Sequence, residues 1–235
     1  MSAPLPSPVQ TKNQLLAAFA GEEYHRLLPH LERIKLSLNK IIYQAETEIL
    51  YVYFPESAVI SLLSTLESGA TTEVGLIGHE GMVGLPVFLG AKISHYQAVV
   101  QIAGTALRMK TSVLREEVRA GSLLHRLLLG YTGAFINLSS QTVACSLNHS
   151  INQRLARWLL LMHDYVAGNQ LRLTQDAMAA LLGSRRAGIS RAASNLQKAG
   201  LIKYARGVIT IRDRGGLEAR SCECYQIFNS RFSNR

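Results

Sequence analysis

The chain has 235 residues, 48% hydrophobic and 17% charged, which suits one large or two small globular units and excludes a disordered tail. No stretch approaches about 18 uninterrupted apolar residues, so no membrane-spanning helix is expected. The net charge of +9 is unevenly divided: residues 1–149 hold 11 Lys+Arg and 11 Asp+Glu, whereas residues 150–235 hold 14 and 5. A neutral module followed by a basic one points to a polyanion partner for the last third.

The opening residues, MSAPLPSPVQTKNQ, carry early prolines and no basic-then-apolar signal pattern, and read as a frayed start of a cytoplasmic protein. Residues 12–38 alternate apolar and polar at helical spacing, interrupted at Pro29, and predict short helices. From Ile41 to Met109 the texture changes. YVYF (51–54), AVISLLSTL (58–66), TTEVGLI (71–77), QAVVQI (97–102) and TALRM (105–109) are β-branched or aromatic and are punctuated by Gly, Ser, Pro or Asn. Short strands at this spacing predict a β-roll or barrel. GLIGHEGMVG (75–84) lacks the Gly-Lys-Ser/Thr ending of a phosphate loop, so its glycines predict β-turns.

The period then lengthens. Leu124, Leu128, Tyr131, Phe135, Leu138, Thr142 and Cys145 form a heptad seam on a helix of about 25 residues, roughly 38 Å long. Such a seam asks for a partner helix. The simplest is the same helix of a second copy; the alternative is the chain's own β-roll. A second helix is expected from about Ser150 to Val166, with an apolar stripe of Ile151, Leu155, Trp158 or Leu159, and Met162. Arg154 and Arg157 fall off that stripe, and Gly168 and Asn169 end the element.

Residues 173–213, LTQDAMAALLGSRRAGISRAASNLQKAGLIKYARGVITIRD, hold the most specific pattern. Thr174 is a candidate N-cap, and Asp176 suits the positive end of the helix it opens. That helix runs to Gly183, and a second runs from about Arg185 to Lys198. Ala179, Gly183 and Ile189 stand where a helix-turn-helix needs a small residue for close crossing, a residue tolerant of positive φ, and a branched apolar anchor. LIKYA and VITIR, joined at Arg206-Gly207, predict a wing hairpin. On the second helix Ile189, Ala193 and Leu196 share a buried face, while Arg186, Ser190 and Ser194, with Arg191 beside them, share another. An arginine in the major groove can pair bidentately with guanine, and serines reach phosphates or bases.

This stretch resembles the winged helix-turn-helix of the CRP/FNR family of bacterial transcription regulators. The matching residues are LTQD (173–176), Ala179, LLG (181–183), RAGISR (186–191), GLI (200–202) and RG (206–207), with RLARWLLL (154–161) upstream. The order of roll, long helix and winged module is similar over nearly the whole chain. The resemblance implies an α+β protein with four parts: a cyclic-nucleotide-binding-like antiparallel β-roll (1–120), a dimerisation helix (121–147), a winged helix-turn-helix (148–214) and a C-terminal extension (215–235). It further implies a homodimer on a pseudo-palindromic operator in double-stranded DNA, RNA polymerase as a partner, and no catalysis. The implied DNA-binding residues are Thr174, Gln175, Arg185, Arg186, Ser190, Arg191, Ser194, Lys198 and Arg206. Many family members carry Glu after the first arginine of the recognition helix. Here Ala187 stands there and cannot accept from cytosine N4, so the common family operator is not expected.

A working nucleotide cassette of that family needs an arginine on the cyclic phosphate and a Gly-Glu carboxylate on the ribose. This chain offers Gly84-Leu85 and, near the arginine's place, His95-Tyr96-Gln97; Lys92 is the only Lys or Arg between Gly81 and Ala106. A buried phosphate would lack its counter-charge, so neither cAMP nor cGMP is expected to bind in that way, and the effector is unknown. No cofactor or metal is expected. Three cysteines are an odd count, which argues against a disulfide framework and fits a reducing compartment. Cys145 falls on the seam and reads as core, and His149 reads as a polar residue at the helix joint. Cys222-Glu-Cys224 is closer than a usual structural zinc pair and reads as C-terminal packing. No cysteine precedes Cys145 to hold an iron–sulfur cluster, and haem through His79 or His95 finds no convincing pairing. Two other classes compete: a metal-dependent β-roll enzyme, which would need His79, Glu80 and His95 to gather, and a sequence-tolerant nucleic-acid-binding protein.

Overall fold

A computed structural model describes residues 11–18 and 22–233. The expectation for the first ten residues lies outside this range. Contacts divide the chain into two compact units, residues 1–61 with 76–133 and residues 62–75 with 134–235.

The first unit opens with two short helices, α1 (Gln14–Ala17) and α2 (Glu22–Leu27), followed by a 3-10 turn over Leu28–His30 that contains Pro29. Asn13, fully buried, caps α1 through the Leu16 amide and donates to the carbonyls of Pro55 and Gly81, both at 2.9 Å. The helical expectation ends there. β1 (Glu32–Leu36) is a strand, with Ile34 opposite Ala106 in an antiparallel pair. Proline ends the helical run, and the neighbouring strand then supplies hydrogen-bond partners that the local spacing does not reveal.

The remaining strands fall where their β-branched and aromatic runs predict. They are β2 (Ile41–Tyr43), β3 (Tyr51–Pro55), β4 (Val59–Thr65), β5 (Thr71–Ile77), β6 (Gln97–Ile102) and β7 (Gly104–Lys110). They form two sheets, ordered β1-β7-β3 and β2-β6-β4-β5. In β3, Val52 and Phe54 are buried while Tyr51 and Tyr53 are half-buried, the period of two that a one-sided core demands. Val52, Phe54, Ile60, Val100, Leu107 and Met109 form the inside of the roll. Gly104 opens β7 because a Cβ there would meet the Ala58 amide nitrogen at 2.4 Å. The glycines of 75–84 lead into turns, and Gly84, with φ of 103°, starts the short α3 (Leu85–Phe88). α4 (Thr111–Glu117) follows β7.

α5 (Leu123–Asn148) is the long helix, and here the structure corrects an expectation. Leu124, Leu128, Tyr131, Leu138 and Cys145 are all buried within the chain itself. Tyr131 packs against Gly81 and donates to the Met82 carbonyl at 3.1 Å in the first unit; in the second, Phe135 packs against Gly75. The heptad seam read from the sequence therefore faces the chain's own residues and is not available to a second copy. A different seam is exposed. Leu129, Ile136, Val143 and Leu147 project to solvent, with exposed Gly133 and Ser140 between them. These six residues step by 4, 3, 4, 3 and 4, the same heptad rhythm on another face.

The second unit continues with α6 (Ile151–Tyr165), opened by a capping box of Ser150 and Gln153. β8 (Gln170–Arg172), α7 (Gln175–Leu181), α8 (Arg186–Lys198), β9 (Ile202–Ala205) and β10 (Val208–Ile211) follow. α9 (Arg214–Arg220) and α10 (Cys224–Ser233) complete it. The wing has three strands, ordered β8-β10-β9, because β8 adds to the predicted hairpin. Trp158, on the predicted stripe of α6, is buried and donates to Glu73 at 3.1 Å. Arg157, expected off that stripe, is buried too, at 5% exposure.

Candidate nucleic-acid interface

The turn between α7 and α8 is built from three directions. The Thr174 hydroxyl accepts from the Ala177 amide at 3.1 Å and sets the start of α7. At its far end, Arg154 of α6 donates a guanidinium hydrogen to the Leu182 carbonyl, one of the acceptors a helix end leaves open. Gly183 then turns the chain with φ of 53°, and a Cβ there would lie 2.6 Å from the Thr72 hydroxyl oxygen. Both the backbone angle and the contact exclude a side chain.

α8 is two-faced. Ile189, Ala192, Ala193 and Leu196 are buried, so the sequence-read anchors sit inward, joined by Ala192. Arg186, Ala187, Arg191, Ser194 and Lys198 are exposed, with Ser190 half-buried among them; Arg185 is the N-cap residue and also exposed. The helix contains no acidic residue. Arg186 reaches back to Asp176 at 3.4 Å, but both side chains are about two-thirds exposed, at 67% and 68%. An ion pair in such a position is screened and holds its arginine weakly.

The wing is tied to this helix. Gln197 of α8 accepts from the Tyr204 amide at 2.7 Å, and the Leu173 amide donates to the Gly207 carbonyl at 2.8 Å. Arg206 and Gly207 both have positive φ, at 49° and 74°, as a two-residue type I′ hairpin requires. Of the nine residues predicted to meet DNA, six thus lie on α8 or cap it. Thr174 and Gln175 lie at the start of α7, and Arg206 at the wing turn.

A polar network holds the module's base. Arg214 of α9 donates to Asp164 at 2.8 Å and to the Tyr225 hydroxyl at 2.5 Å, and pairs with Glu218 at 3.0 Å. Tyr225 in turn donates to Asp164 at 3.0 Å. Burial and the Asp164 carboxylate push the Tyr225 phenol up to about 12, so it stays a neutral donor.

Sequence reading missed one cluster. Cys145, His149, Cys222 and Cys224, treated separately as core, joint and packing residues, converge. The hydrogen bond from Cys222 holds the Cys145 thiol well below its usual range, at about 5, with Arg157 and His149 contributing. Cys-x3-His on one helix face was the available signal. Among the described residues this is the only such group of three or more candidate ligands; His79, Glu80 and His95 do not gather in the roll. His95 lies instead 2.6 Å from Glu46.

In chain order, a β-roll is followed by a long helix and a winged helix-turn-helix whose outer face is basic. Residues 153–220 match the family model of the Crp-like helix-turn-helix domain. No curated protein matches the chain in sequence. The fold is similar to FixK2 of Bradyrhizobium japonicum, with a TM-score of 0.66 at 17% identity over 82% of this chain and 98% of that one. It is similar to a CRP-family transcriptional regulator of Thermus thermophilus, with a TM-score of 0.68 at 16% identity over 80% and 96%. A CooA variant from Carboxydothermus hydrogenoformans gives 0.61 at 16% identity over 90% and 95%. Residues 153–220 thus form a Crp-like helix-turn-helix domain, and the fold of the chain is similar to that of CRP-family transcriptional regulators. No helix among the described residues is long and apolar enough to cross a membrane.

Proposed function

We propose that this protein is a non-catalytic, sequence-specific regulator that binds a pseudo-palindromic operator as a homodimer, with α8 in the major groove. The observation that carries this reading is the acid-free outer face of α8, Arg186, Ser190, Arg191 and Ser194, on a helix whose other face is fully buried. Arg186 and Arg191 read bases; Arg185, Lys198 and Arg206 reach phosphates, with Thr174 and Gln175 at the flank. Ala187 is exposed in the first turn and offers no carboxylate to cytosine, which favours an operator unlike the common one of the family.

The dimer forms through the exposed seam of α5, Leu129, Gly133, Ile136, Ser140, Val143 and Leu147. Exposed leucine, isoleucine and valine at heptad spacing gain by burial against a second copy, and the two-fold axis matches a palindrome. The working division remains a roll over 1–120, a dimerisation helix over 121–147, a winged module over 148–214 and an extension beyond. RNA polymerase is the expected partner at the promoter, in the cytoplasm, and the roll answers to a signal other than cAMP or cGMP held by the usual cassette. Selection of bound sequences from a random DNA pool tests the reading. A palindrome with half-sites about one helical turn apart is expected. Enrichment of no sequence would favour the sequence-tolerant binder instead.

A further inference from the structure

We propose that Cys145, His149, Cys222 and Cys224 bind one thiophilic divalent ion, Zn2+, in a tetrahedral Cys3His site that clips the end of α5 to the C-terminal extension. The four ligand atoms all lie within 4.8 Å of one another. The Cys145 and Cys222 sulfurs are 3.6 Å apart, and the Cys224 sulfur is 3.7 Å from His149 Nδ1. Zinc bonds of about 2.3 Å to sulfur and about 2.0–2.1 Å to nitrogen give tetrahedral edges of about 3.8 Å between sulfurs and about 3.6 Å from sulfur to nitrogen. These two edges already have such lengths, and closing the others takes shifts on the order of 1 Å.

The ligands come in two halves. Cys145 and His149 are four residues apart at the end of α5, which puts them on one face. Cys222 and Cys224 flank Glu223 where α9 gives way to α10. Cys-x-Cys alone is a poor pair, but here each half completes the other.

The surroundings suit an occupied site. His149 Nε2 lies 3.2 Å from the Glu223 carboxylate, an arrangement that fixes the proton on Nε2 and leaves the Nδ1 lone pair facing the sulfurs. Gln141 donates its amide to the Cys224 sulfur at 3.1 Å. Three thiolates, a neutral imidazole and a divalent ion carry a net charge of −1. Arg157 is buried, sits over the Phe228 ring at 4.9 Å, and its Nε has no hydrogen-bond partner among the described residues. A buried guanidinium with an unsatisfied nitrogen is costly, and a thiolate-rich metal centre offsets it. The ligand atoms lie too close together to surround a multi-iron cluster, and a disulfide, at about 2.05 Å, would leave the third cysteine and the oriented histidine without a role. Binding needs the thiols ionised, so their protons pass to solvent and affinity falls with acidity.

The test uses the full chain, purified under reducing, anaerobic conditions. About one equivalent of zinc per chain is expected by mass spectrometric metal analysis, and Co2+ exchange should give the visible bands of a tetrahedral thiolate site. Cys224→Ser should abolish stoichiometric binding. Glu223→Gln alters an exposed side chain, leaves the fold intact, and should weaken zinc about 10–100-fold in chelator competition. Folded, reduced wild-type protein that takes up neither ion overturns the proposal. So do unchanged affinity in both variants, a multi-iron sulfide chromophore, or a Cys145–Cys222 disulfide in the anaerobic protein.

Discussion

Arg186 and Gly183 are three residues apart and do opposite things. Arg186 points outward with only a screened contact to Asp176, so its guanidinium is free to pair with a base. Arg186→Ala should cost about 1–3 kcal/mol on the selected operator and little on random DNA at the same salt, measured by competition binding. Equal losses on both would reduce Arg186 to a phosphate contact. Gly183 instead shapes the turn. Gly183→Ala should destabilise by about 1–3 kcal/mol, from the positive φ and the clash with Thr72. In a Thr72→Ala background, the steric part should be relieved and the backbone part should remain. Urea unfolding of the double-mutant cycle reads the difference, and strict additivity would mean the Thr72 contact does not form in solution.

At the scale of elements, α5 carries two heptad seams with different duties. Leu138 belongs to the buried one, packed with Cys145, Cys222, Cys224 and Phe228. Leu138→Ala should lower stability by about 2–5 kcal/mol through the cavity it leaves. Ile136 belongs to the exposed seam, at 58% exposure. Ile136→Glu should leave the fold of one chain intact but convert a dimer to a monomer in sedimentation. A dimer that survives this change would place the interface elsewhere. A second element-scale dependency is the end of α7, where Arg154 meets the Leu182 carbonyl and so couples α6 to the turn that aims α8.

For the molecule as a whole, charge and chemistry are divided between a neutral roll and a basic C-terminal third. The roll packs Leu85, 5% exposed, directly after Gly84, at the position where the resemblance to the family implies a ribose-binding carboxylate. Calorimetry with cAMP or cGMP should therefore show no binding at micromolar concentration; micromolar affinity for either would overturn the reading of the roll.

What the sequence determined by itself was everything with a short-range code. Thr174 as a cap, Gly183 and Gly207 as positive-φ turns, the alternation in YVYF, and the two faces of α8 depend on neighbours within a few residues. Spacing alone carried them. Tertiary structure decided what depends on partners distant in the chain. A heptad pattern reports that a face is apolar but not what covers it, so spacing alone does not distinguish the packed seam of α5 from the exposed one. β1 became a strand because β7 lies beside it. Arg157, off the apolar stripe by period, was buried by the extension that packs there. Cys145 and Cys222 stand 77 residues apart, and only the packing of the extension against the end of α5 makes them, with His149 and Cys224, a single site.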